Sequence, residues 1–240
     1  MYCPFLNYRT LCPIKYHRLD PMYKADNSFR KLDPTVSVTT TNIQNSSSEI
    51  NENLLIPVFH GSANPQILSY INNNVKNDIL EYKNQMEAAA KEHARVLKLQ
   101  GKQPDPFQIA TTYSVTYDKN NILSFSIFFQ EYFSGKHNDI RTSYNYDLRT
   151  GNSISLEDLF RQGVDYLATL NKIAKQQLQT NYPSIAANYK GIAKDQPFYL
   201  DNNALVIYPR FNEIAPVVSA IPLIRIPFTN ISNILKPHFV

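Results

Sequence analysis

The chain has 240 residues and a mass of 27.6 kDa, enough to bury a core as one domain or two small lobes. Residues 1–33 hold six basic and three acidic side chains, so most of the +4 net charge sits there and the rest lacks the basic stripe of a nucleic-acid binder. With only six Gly, no GxGxxG and no GxxxxGK[ST], no phosphate-cradling loop is encoded.

Residues 1–50 are polar and aperiodic, and Thr39–Ser48 (TTTNIQNSSS) reads as a flexible linker behind a disordered basic arm. Met1–Thr10 mixes Pro and Arg among apolar residues and no apolar stretch follows, so no export signal is expected. Cys3 and Cys12 both fall in this arm, with only His17 near enough to share a metal, so no metal site is expected. They remain open to three readings: free thiols, a small-loop disulfide or a link between chains.

Residues 51–150 form the first expected lobe. Leu54–Phe59 (LLIPVF) is a short strand whose Pro57 suggests a sheet edge. Asn64-Pro65 starts a helix, and Ile67, Ile71, Val75, Ile79, Met86, Ala90 and Leu97 mark its apolar stripe up to Gly101. That length predicts a helix that projects or bends, with Lys83, Glu87, Lys91, Glu92 and Arg95 on a solvated face. The period then switches to two. Thr111, Tyr113, Val115 and Tyr117 share one face, and the turn Asp118–Asn121 leads to Leu123, Phe125, Ile127 and Phe129. A third strand alternates Ile140, Thr142, Tyr144, Tyr146 and Leu148 with Arg141, Ser143, Asn145, Asp147 and Arg149. An antiparallel meander with one buried face is the expectation. Its longest apolar run, Ile122–Phe129, is broken by two serines and is far short of the roughly 20 residues that span a bilayer.

Residues 151–240 form the second lobe. Ser155 and Asp158 resemble a capping box before a short helix, Leu156–Phe160. A further helix shows Leu167, Leu170, Ala174 and Leu178 on one face. A hairpin turns at Asp201-Asn202-Asn203, and Pro222–Phe228 is a last strand. Helix-then-strands twice over predicts an α+β body of two small lobes, each a helix with antiparallel strands.

No catalytic set assembles from the pattern. His137, in Ser-Gly-Lys-His-Asn, is the one histidine in a functional setting, with Glu131, Asp139 and Asp147 as carboxylates that could converge on it. There is no G-x-S-x-G and no metal-ligand spacing, so no cofactor is expected. The turn Tyr132, Phe133, Ser134, Gly135, Lys136, His137 and Asn138 joins rigid rings and a cation to a flexible bend, which suits a contact surface.

The stretch ILSFSIFFQEYFSGKHNDIRTSYNYDLRTGNSISLEDLF resembles the PdaC/RsiV-like domain pair, found beside a peptidoglycan deacetylase domain and in a lysozyme-sensing anti-sigma factor. The family's G-G-x-H turn corresponds to Ser134–His137, its N-x-D-L-x-T-G-K turn to Asn145–Asn152, its L-x-D-L-F helix to Leu156–Phe160, and its late Y-E-I-A-P segment to Asn212–Pro216. Ser134 replaces a glycine, Asn212 a tyrosine and Ala220 a glycine. The resemblance spans about residues 52–230 and implies a module without the deacetylase domain or membrane helix. It implies binding of a lysozyme-like protein or cell-wall glycan at the cell envelope or spore surface, with Asn212, Glu213 and Pro216 beside the 132–138 turn as contact residues. Two alternatives stand beside that reading: a wall-polymer hydrolase using His137 with Glu131 or Asp147, and an assembly protein cross-linked through Cys3 and Cys12. The extracytoplasmic setting implied by the resemblance conflicts with the missing export signal, and the compartment stays open.

Overall fold

A computed structural model describes residues 36–187, 189–210 and 222–239. They begin with β1 (Val36–Ser46), which pairs antiparallel with β2 (Ile50–Gly61) over its full length, from Val36 opposite Gly61 to Ser46 opposite Asn51. The Thr39–Ser48 stretch expected to be a linker thus lies mostly in a strand. The Ser47 hydroxyl accepts the amide hydrogens of Glu49 and Ile50 and closes the turn. Its polar composition reflects an edge strand exposed along nearly its whole length, with little apolar surface to bury.

β2 is not an edge, because β3 (Phe107–Lys119) flanks its other side. Pro57 lies beyond Leu54, the last residue paired to β3, so no strand on that side needs the amide hydrogen proline lacks. β2 and β3 run parallel over Ile50–Leu54, which makes the sheet mixed rather than wholly antiparallel. A parallel pair needs a long crossover, and α1 (Pro65–Leu99) supplies it. Asn64 caps α1 by accepting the Gln66 amide hydrogen, Pro65 opens the first turn, and Gly101 at φ +68° ends it. Its 35 residues span about 52 Å. The helix does not project: buried residues continue from Ile67 to Ala94, each large one contributing about 1.5–3 kcal/mol of apolar transfer.

β4 (Ile122–Phe133) and β5 (Lys136–Asp147) complete the five-stranded sheet in the order β1-β2-β3-β4-β5. Asn120 and Asn121, at φ 54° and 60°, form the two-residue bend from β3 to β4. A bulge at Thr116 puts Val115 opposite Phe125 but Tyr117 opposite Ser124. Tyr117 therefore changes face and leaves the first core for the second.

In the second lobe, α2 (Tyr166–Asn181) packs against an antiparallel sheet of β6 (Phe198–Asp201), β7 (Ala204–Ile207) and β8 (Ile224–Pro227). Ser155 and Asp158 make the expected capping box, over a single 3-10 turn. Tyr166, not the half-buried Leu167, joins Leu170, Ala174 and Leu178 on the buried stripe of α2. The chain is an α+β protein of two lobes.

β4 has two buried faces rather than one. Its alternate serines meet the second lobe: the Ser124 hydroxyl accepts the Leu200 amide hydrogen and donates to Asn145, whose amide donates to the Phe198 carbonyl. Ser126 and Ser143 bond each other at 2.9 Å, and Ser143 also meets the Tyr208 hydroxyl at 2.8 Å. A satisfied polar seam, not solvent, covers this half of the sheet.

Candidate functional site

Strand alternation places the rest of that face in the open. Across the sheet, Asn51, Gln108, Tyr132 and His137 form one register row, and Asn53, Ala110, Gln130 and Asp139 the next. The row between them carries Glu52, Ile109 and Glu131, which point the other way, toward α1. A trough of about 320 Å³ lies along the open rows. Asn51, Asn53, Gln108, Gln130, Tyr132 and His137 line it, so amide donors and acceptors surround one phenol ring and one imidazole. Side-chain bonds from β1, Ser46 to Asn51 and Gln44 to Asn53, hold two of these amides in place.

The expected contact turn divides across the sheet. Ser134 and Gly135 are its two central residues, at φ +48° and +73°, the geometry of a tight hairpin. Ser134 thus occupies, where the family pattern has glycine, a left-handed position that costs a side-chain-bearing residue about 1–2 kcal/mol. Its hydroxyl lies 3.3 Å from His93 Nε2 on α1, which ties the turn to the helix. Tyr132 is 40% exposed and faces the trough. Phe133 is buried and stacks on Phe107 at 5.0 Å, so it belongs to the core. Lys136 and His137 are exposed, and His137 Nε2 sits 3.4 Å from Asp139. Asn138 turns inward and donates to Glu131 at 3.2 Å. Asn212, Glu213 and Pro216 lie outside the described residues, as do Cys3 and Cys12.

The carboxylates do not converge on His137. Glu131 lies on the opposite face, fully buried, and burial pushes its carboxyl above the ordinary range against the pull of the Asn138 hydrogen bond. Asp147 is ten residues along β5, about 33 Å away. It is held by the Arg149 guanidinium through two hydrogen bonds, at 2.9 and 2.7 Å. Only the exposed Asp139 accompanies His137, so the paired acid and base proposed for hydrolysis are not assembled there. Among the described residues, no three His, Cys, Asp or Glu side chains are grouped to hold a metal ion.

Beneath the trough lies an ion pair that sequence patterning missed. Glu52 is buried in β2, 3.5 Å from Lys83 Nζ, which also binds Glu87 at 2.7 Å. The Glu87 hydrogen bond is the largest influence holding the Lys83 ammonium above its usual range. Lys83 is therefore not a freely solvated residue. Glu52 preceded the strand expected from LLIPVF, so its alternation with Leu54 and Ile56 was hidden.

Two family models match the chain in succession, one described as Deacetylase PdaC over residues 43–138 and one as Protein of unknown function (DUF3298) over residues 157–229. The chain thus carries a region similar to PdaC followed by one similar to DUF3298. The PdaC match holds the trough and the 132–138 turn, and the DUF3298 match holds α2 and the small sheet. A DUF3298 family member from Bacteroides fragilis shares the fold at a TM-score of 0.64 and 17% identity, covering 86% of this chain and 96% of that one. A DUF3298 family protein from Pseudomonas aeruginosa does so at 0.59 and 18%, covering 86% and 97%. No curated protein matches. No helix among the described residues is long and apolar enough to cross a membrane.

Proposed function

We propose that this chain is a non-catalytic binding module of the cell envelope whose contact surface is the trough and the adjoining turn. The observation that carries this reading is the trough itself: concave, of ligand size, and lined by four amides, a tyrosine and a histidine. Amides give and accept hydrogen bonds without charge, and a tyrosine ring offers an apolar platform. Those are the requirements of a hydroxyl- and acetamide-bearing cell-wall glycan. The separation of His137 from Glu131 and Asp147 favours binding over hydrolysis.

A lysozyme-like protein is the second reading, favoured by the exposed turn with Tyr132 at its base. Calorimetric titration of the full chain with muropeptides, and separately with a c-type lysozyme, tests both. The expected result is glycan binding that Asn53→Ala and Tyr132→Ala each weaken. Binding to lysozyme alone, unaffected by Asn53→Ala, moves the contact to the turn. No binding to either refutes the module.

A further inference from the structure

One register row beyond the trough, at the seam between the lobes, a cation stands without a counter-ion among the described residues. Arg141 pairs across β4–β5 with Phe128 and points to the open face, the same face as His137 and Asp139. Its Cζ lies 4.5 Å from the Phe128 ring centroid, 5.1 Å from that of Tyr199 and 5.5 Å from that of Tyr208. Three rings from β4, β6 and the residue after β7 thus hold the guanidinium. The Tyr208 ring is fixed in turn by its bond to Ser143.

A guanidinium has five N–H donors, yet no hydrogen bond or ion pair reaches Arg141 from the described residues, and its Nε is sealed from solvent without a partner. Rings satisfy the faces of the cation but not its donor edge. Asp139, about 7 Å along the strand, is no substitute. Its carboxylate is engaged by His137 and Gln130, each at 3.4 Å. A half-buried, immobilised, unpaired guanidinium is shaped for a planar anion, which it can take through two parallel hydrogen bonds. The neighbouring row of the trough ends at Asp139 and Gln130, so a ligand seated there has its next substituent at Arg141.

We propose that Arg141 is the anion-recognition residue of this face and binds the carboxylate of an acidic saccharide whose ring occupies the trough. This rests on the glycan reading above, and the test separates the two. The full chain is titrated by calorimetry with the disaccharide N-acetylglucosaminyl-N-acetylmuramic acid and with its methyl ester, which carries one added methyl and lacks the charge. The acid is expected to bind roughly tenfold or more tightly than the ester, the scale of one charge-assisted hydrogen bond. In Arg141→Met the acid and ester become equal, and Arg141→Lys retains part of the preference. A role confined to holding the lobes together lowers the melting temperature in both variants and leaves the acid-to-ester ratio unchanged. Equal binding of acid and ester by the native chain overturns the Arg141 assignment while the glycan reading stands. Where neither binds, the Arg141 Nε–Hε resonance is followed with acetate. A saturable shift of that resonance keeps the carboxylate site but overturns the saccharide as its ligand. No shift overturns the carboxylate site as well.

Discussion

Replacing Glu131 by Gln should stabilise the protein at neutral pH and do little in acid. Glu131 has no exposed surface, its Oε2 accepts one hydrogen bond from Asn138 at 3.2 Å, and its Oε1 has no partner. Burial is the main reason its carboxyl titrates above the ordinary value of 4.5, with the Asn138 bond opposing it. Tyr82, on the facing helix, titrates well above its usual range, first from burial and second from Glu131. A raised carboxyl means that the folded state holds its proton more tightly than the unfolded state. Stability is then lost as pH rises from 4.5 through the folded value and regained on acidification. Glutamine keeps the shape and an acceptor for Asn138 but removes the buried charge. The gain should be about 1–3 kcal/mol at pH 7.5, the cost of an unsatisfied buried group, and each kcal/mol corresponds to about 2–4 °C in melting temperature at this size. Thermal unfolding of both proteins at pH 7.5 and pH 4 measures it. A variant less stable than the parent at pH 7.5, or equally more stable at both pH values, refutes the reasoning.

Lys83→Met should cost about 1–3 kcal/mol in urea unfolding, below the figure for a fully buried pair because Lys83 is partly exposed, and adding Glu52→Gln should recover most of it. Tyr117→Ala should cost about 3–5 kcal/mol, with amide exchange quickened around Phe228 in the second lobe, whose ring it meets edge-on, rather than in the first core. Gly135→Ala meets no atom within 4 Å, so its cost of about 1–2 kcal/mol is backbone strain alone, read by urea unfolding, and glycan affinity should fall with it because Tyr132 and His137 flank the turn.

Much of the architecture was legible because periodicity reports burial. The stripe from Ile67 to Ala90 and the alternation from Thr111 to Tyr146 mark residues that face a core, and the helix and three strands follow them. β1 was illegible for the same reason: an exposed edge strand of Thr, Asn, Gln and Ser buries almost nothing, and only its pairing with β2 distinguishes it from a linker. The bulge at Thr116 was equally silent, since one added residue leaves the composition of a strand unchanged while reversing the direction of Tyr117. Within the site, Tyr132 and His137 were visible as an aromatic and a titratable group at a turn. Asn51, Asn53, Gln108 and Gln130 were not, because an amide facing a trough and an amide facing bulk water are identical in sequence.

The polar positions of the sheet show how one pattern serves two purposes. Ser124, Ser126, Ser143 and Asn145 occupy the same alternating face as Gln130, Tyr132, His137 and Asp139, yet the first group is buried against the second lobe and the second group lines open surface. Arg141 lies at the boundary, between the row that ends in Ser143 and the row that ends in Asp139. The second lobe covers half of the face with a satisfied hydrogen-bond network and sends two tyrosines to immobilise that arginine. If Arg141 binds an anion as proposed, the second lobe contributes to that site without lining the trough. Loosening the seam at Ser124, where one hydroxyl serves both Leu200 and Asn145, should release Tyr199 and Tyr208 from Arg141 before it disturbs the amide rows, so Ser124→Ala should lower acid-over-ester preference while ester affinity holds.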